Sequence, residues 1–196
     1  MNYTKIKNEE IINWLKANLS EERYLHSIGT MLCAEELAKM FNLNQEKAKI
    51  AGLLHDCAKC FSNEKLLELI KENIPDIEET ELVNYKTLHA PVSAHIAKEN
   101  FGVCDKEILS SIRWHTLGKT QMTDFEKIIF LADKIEPNMR PKKYREEMLT
   151  ILNQPNGLDK ALLKCFEETI KSLVERKLAI CHITINVYNE LLNCTE

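Results

Sequence analysis

The chain has 196 residues, 44% hydrophobic and 29% charged, enough apolar material for one soluble domain with a real core. Its formal net charge of −4 leaves no broad basic surface, which disfavours sequence-independent nucleic-acid binding but leaves room for a local cationic pocket. Seven irregularly spaced cysteines speak against a secreted disulfide framework, and the polar start MNYTKIKNEEIINWLK lacks the apolar core of a signal peptide.

No apolar run approaches the roughly 20 residues needed to span a bilayer. The expectation is a cytoplasmic protein with reduced thiols and no membrane association. Five glycines and five prolines punctuate the chain, and apolar residues recur mostly at helical spacing. That spacing predicts helices over 8–19, 20–41, 44–58, 63–73, 89–100, 105–115, 124–135, 142–153 and 157–177, with a last short one near 184–193. Ser20, Asn44, Ser62, Thr123 and Thr184 stand where N-caps belong, and Gly102 and Gly118 where helices end. The acidic stretch IPDIEETELV (74–83) reads as a solvated loop. LAICHITINV (178–187) comes nearest to strand-like alternation, but reads better as a loop leading into the Thr184-capped helix. The fold class is all-α: one domain over 1–196, with 1–19 an N-terminal extension helix and 157–196 C-terminal helices on the core.

Chemistry concentrates in a few polar residues set among apolar ones. GLLHDCAK (52–59) places His55 and Asp56 beside two leucines, where an unpartnered carboxylate costs on the order of several kcal/mol. His26 lies in the amphipathic stretch RYLHSIGTMLCAEELAKMF, His89 opens a helix in TLHAPVSAHIA, and His115 closes one in SSIRWHTLGK. Asp133 ends the apolar run KIIFLADKIEP, at a helix C-terminus whose dipole disfavours negative charge, so it requires a nearby cation. Singly, each histidine has an ordinary reading as a cap or a satisfied core residue. Together, the order His, His-Asp, His, His, Asp on helices points to a metal centre.

This order, with RYLHS, AGLLHDCAK, HAPVSA, WHTLGKTQM, EKIIFLADKIEPNMR and TINVYN, resembles the HD superfamily of metal-dependent phosphohydrolases. Within it, the chain is similar to the bacterial HD-type symmetrical bis(5'-nucleosyl)-tetraphosphatases over about residues 20–190. The resemblance implies a hydrolase that splits diadenosine tetraphosphate into two ADP by attack of a metal-bridging water. It also implies that His26, His55, Asp56 and Asp133 hold one metal, that His89 and His115 hold a second, and that Asp56 bridges them. The donor set of imidazoles and carboxylates favours Fe, Mn, Co or Zn over Mg; the resemblance puts iron first. Two divalent ions against two carboxylates leave a cationic centre suited to phosphates.

Asp56 and Lys59 are the expected catalytic residues, Lys59 as a point charge on phosphate. Arg23, Lys86, Thr116, Gly118, Lys119, Arg140 and Arg176 complete the expected substrate contacts. The implied partner is a dinucleoside polyphosphate, with ADP as product; a homodimer is compatible with the resemblance. Two alternatives are another HD-type nucleotide phosphatase or phosphodiesterase, and a non-catalytic nucleotide-sensing module. Cys57 and Cys60 form a C-x-x-C without the second pair of a zinc ribbon, and read as structural thiols. His95 is set aside because six residues separate it from His89, which puts it on another face. Trp14 and Trp114 read as core anchors.

Overall fold

The computed structural model describes residues 3–195. Among them are ten α-helices and no strand. In chain order these are α1 (Asn8–Asn18), α2 (Glu21–Met40), α3 (Gln45–Leu54), α4 (Asn63–Asn73), α5 (His89–Glu99), α6 (Lys106–Trp114), α7 (Asp124–Ile135), α8 (Lys142–Leu152), α9 (Gly157–Glu175) and α10 (His182–Thr195). The all-α expectation holds, and none of the helices is long and apolar enough to cross a membrane.

Most helices begin where a side chain can satisfy the first free N–H groups. Ser20, Asn44, Ser62 and Thr123 accept from the backbone N–H of Arg23, Lys47, Lys65 and Glu126, respectively. Thr123 and Glu126 form a reciprocal capping box. Thr123→Ala is therefore expected to cost about 1 kcal/mol in a denaturant titration. An unchanged midpoint would show that α7 is held by packing alone.

α7 is the central element and packs on α2, α3, α6, α8 and α9. Its run from Ile128 to Asp133 is buried on every face, as suits a helix enclosed by others. Phe130 stacks on Phe166 of α9 with ring centroids 4.9 Å apart. α2 lies across α3 at Gly52, where a Cβ would meet the Thr30 carbonyl oxygen at 2.8 Å and Met31 Cα at 2.9 Å. This close crossing sets the spacing between the residues that follow Gly52 and the inner face of α2.

Three local expectations need correction. α3 ends at Leu54, not at 58, and Cys57–Cys60 forms a short 3-10 segment. The His55 ring donates from Nδ1 to the Gly52 carbonyl at 2.7 Å, the acceptor that Asp56 N–H would use in a continued helix. α10 begins at His182, with Thr184 buried in its first turn, and Thr184 N–H donates to the Cys181 carbonyl. The 74–83 stretch is not wholly solvated: Glu79–Val83 is a 3-10 turn, and its buried Glu81 pairs with Arg113.

Candidate metal centre

Five elements deliver six polar side chains to one point. His26 comes from the inner face of α2, His55 caps α3, and Asp56 follows it in non-helical geometry (φ −107°, ψ 14°). His89 is the first residue of α5, His115 caps α6, and Asp133 sits in the last turn of α7. His55 and His115 use the same local device. Each donates from Nδ1 to the carbonyl three residues back, Gly52 or Ile112, at 2.7 Å. A carbonyl only accepts, so Nδ1 carries the proton and Nε2 presents a lone pair inward.

The two carboxylate oxygens of Asp56 face two different histidine pairs. On one side, His26 Nε2 is 3.2 Å from His55 Nε2, 3.0 Å from Asp133 Oδ1 and 3.8 Å from Asp56 Oδ2. His55 Nε2 lies 3.7 Å from both Asp56 Oδ2 and Asp133 Oδ1. On the other, His89 Nε2 is 3.1 Å from His115 Nε2, and the two lie 2.9 and 3.4 Å from Asp56 Oδ1. The edge-on His55 and His115 rings, 4.9 Å between centroids, join the halves. All six side chains are buried.

These distances pass a simple test of fit. Ligand atoms about 2.1 Å from a shared ion, at right angles to one another, are about 3 Å apart. Each trio, His26–His55–Asp56 and Asp56–His89–His115, brings one donor atom per residue within 4.8 Å of the others. Burial pushes His55 down to about 3, helped by the neighbouring His115 and His26 and opposed by Asp56 and Asp133. Burial also lowers His89 to about 4, against the pull of Asp56. His55 and His89 are thereby kept neutral, and each turns Nε2 toward a second imidazole, 3.2 Å away at His26 and 3.1 Å away at His115, the spacing of two ligands on one cation. His26 differs: burial lowers its pKa, but hydrogen bonds to Asp133 and Glu136 raise it to about 9. Burial works to raise Asp56 and Asp133. The histidines around Asp56, and Lys134 and His26 beside Asp133, hold both well below the usual carboxylate range.

Cations gather on the Asp133 side. Lys134 Nζ lies 2.7 Å from Asp133 Oδ2, while Arg140 donates to the Asp133 carbonyl at 3.1 and 3.0 Å and approaches Oδ1 at 3.4 Å. Arg23 Nη1 reaches Asp56 Oδ2 at 3.4 Å. Lys59 feels the charges of Asp56, Arg23, Asp133 and Lys134, and burial lowers its pKa. A cavity of about 640 Å³ opens here, lined by Lys86, Lys134, Arg140, Tyr144, Cys165 and Arg176 among others.

The remaining expected contacts are placed elsewhere. Lys119 pairs with buried Glu126 at 2.8 Å, so its charge is engaged inside the α6–α7 corner. Gly118 has φ +70° and faces Phe166, whose Cζ would lie 2.6 Å from an added Cβ. Thr116 lines a smaller pocket with Glu81 and Thr184. His95 lines a groove with Trp114 and Arg113, and the Arg113 guanidinium lies over the Trp114 ring at 4.2 Å. Cys57 and Cys60 are unbridged.

Sequence reasoning passed over Lys134, Glu136 and Tyr144. Lys134 was detectable as the cation adjacent to Asp133. Glu136 carried a weaker signal, an acidic residue before the helix-stopping Pro137. Tyr144 carried none.

The HD domain family model matches residues 23–138. A Halalkalibacterium halodurans protein named bis(5'-nucleosyl)-tetraphosphatase, symmetrical, is 37% identical over 183 residues, 91% of this chain and 93% of that protein. A Bacillus subtilis protein of the same name is 34% identical over 194 residues, covering 96% and 99%. A Clostridium acetobutylicum crystal structure, described as a "predicted HD superfamily hydrolase involved in NAD metabolism", superposes with a TM-score of 0.90. It is 36% identical and covers 97% of this chain and 99% of its own.

Proposed function

The chain belongs to the HD domain family, with the symmetrical bis(5'-nucleosyl)-tetraphosphatases among its relatives, and on that premise we propose that it hydrolyses diadenosine tetraphosphate to two ADP. The observation that carries this reading is the division of Asp56 between two histidine pairs, beside a cation-lined cavity. His26, His55, Asp56 and Asp133 would hold one divalent ion, and Asp56, His89 and His115 a second. The imidazole-rich donor set suits iron, the first choice, and also Mn, Co or Zn. When bound, such a pair supplies Lewis acidity and lowers the pKa of a coordinated water toward neutrality.

The protein's own groups bind and orient the phosphate chain. Arg140 and Lys134 bring positive charge to the cavity wall next to Asp133, and Lys86 and Arg176 extend it outward. Lys59 adds an ammonium group near Asp56, and Arg23 a guanidinium. These cations favour a polyanion laid across the centre. Water adds to a phosphorus flanking the central bridging oxygen, that P–O bond breaks, and the departing ADP oxygen takes up a proton. A cytoplasmic location accords with seven unbridged cysteines.

Anaerobic purification, metal analysis and product chromatography test the proposal. The expected result is close to two ions per chain and ADP as the only product from diadenosine tetraphosphate. Equal AMP and ATP would place the phosphate chain differently. Tight nucleotide binding without turnover in Fe, Mn, Co or Zn would overturn the enzymatic reading in favour of a sensor.

A further inference from the structure

α7 stops at Ile135 because Pro137 forbids helical geometry at the residue before it, and Glu136 turns out with ψ 147°. Its side chain nevertheless returns inward and is completely buried. One oxygen, Oε1, accepts from Met139 N–H at 2.8 Å and lies 3.2 Å from His26 Nδ1. The other, Oε2, accepts from Asn138 N–H at 2.7 Å. The carboxylate is thus held by the turn that follows α7 and meets the His26 ring on the side away from the cluster.

α2 leaves room for this arrangement. An added Cβ at Gly29 would lie 2.1 Å from Glu136 Oε2 and 2.9 Å from Asn138 Nδ2. Asn138 Nδ2 also donates to the Leu25 carbonyl at 2.8 Å, tying the turn to α2. His55 and His115 have backbone carbonyls that set their tautomers; His26 has Glu136 in that place.

The geometry points to Glu136 as a positioning residue that orients His26, with Gly29 as the clearance that admits it. This inference rests on the dimetal reading above. Accepting the Nδ1 proton fixes Nε2 as the inward lone pair and strengthens it as a donor. Glu136 does not reach the cluster itself, so its effect is confined to the half built by His26, His55, Asp56 and Asp133.

The test is calorimetric titration of the chelator-stripped full chain with Zn²⁺. Wild type is expected to take up two ions. Glu136→Gln is expected to keep one site at wild-type affinity and weaken the other by about 10- to 100-fold. Gly29→Ala, which displaces the carboxylate without removing it, should show the same one-sided loss. In zinc-loaded wild type, the His26 Nδ1 proton should give a slowly exchanging NMR signal, a readout that requires no variant to fold. Two undiminished sites in Glu136→Gln, equal weakening of both sites, or absence of that signal would overturn the inference. Fewer than two ions in wild type would instead overturn the dimetal reading.

Discussion

Asp56→Ala is expected to abolish hydrolysis, with kcat/KM falling by more than about 10³-fold, the scale of loss when one member of a group acting as a unit is removed. Among the described residues, Asp56 alone faces both histidine pairs, each with its own oxygen. Without it, four imidazoles converge with only Asp133 to offset an ion's charge, and that carboxylate serves one side alone. Metal content should fall together with turnover, while far-UV circular dichroism reports the helices unchanged. Asp56→Asn keeps the shape but removes the charge, and should lose metal as well. Turnover near wild type in either variant would remove Asp56 from the chemistry. Activity lost with both ions retained would confine its role to catalysis after metal uptake.

Stripping the metal should produce the largest change in stability. An ion that binds only the folded chain stabilises it by about 4 kcal/mol at a thousandfold excess over its dissociation constant. For a chain of this size that corresponds to a melting temperature lower by roughly 8–16 °C after chelation. The size of the gap depends on pH in a definite direction. His26, raised to about 9 in the metal-free fold from 6.5, contributes stability that is fully present below about 6.5. That contribution is lost as pH rises through 9. Metal uptake requires the opposite state, since Nε2 must give up its proton to bind, so affinity rises over the same interval. The melting-temperature difference between loaded and stripped protein is therefore expected to widen from pH 6.5 to 9. A gap that narrows over that range would show that His26 is not the group titrating.

The helices were legible in the sequence because their signals are local. Ser20, Asn44, Ser62 and Thr123 act on N–H groups three residues away, and left-handed glycines at 102 and 118 act on the turn they end. The six polar residues of the centre were legible as an order of residue types along the chain. The break at His55 was not, because the helix pattern continues through it and the interruption depends on where one imidazole proton goes. Lys119 illustrates the limit in the other direction. Its position beside His115 suggested phosphate, but a buried glutamate from the next helix engages its charge.

The sequence by itself determined the fold class, most of the helix starts and the residue types of the candidate metal centre, since these depend on spacing of a few residues and on side-chain chemistry. Only the tertiary structure decided which oxygen of Asp56 faces which histidine pair, that Lys134 and Arg140 flank Asp133, and that the Glu136 carboxylate meets the His26 ring. The physical reason is the same in each case. Hydrogen bonds and charge contacts act over about 3–4 Å, and the distances between these residues are set by how closely helices cross, as α2 and α3 do at Gly52.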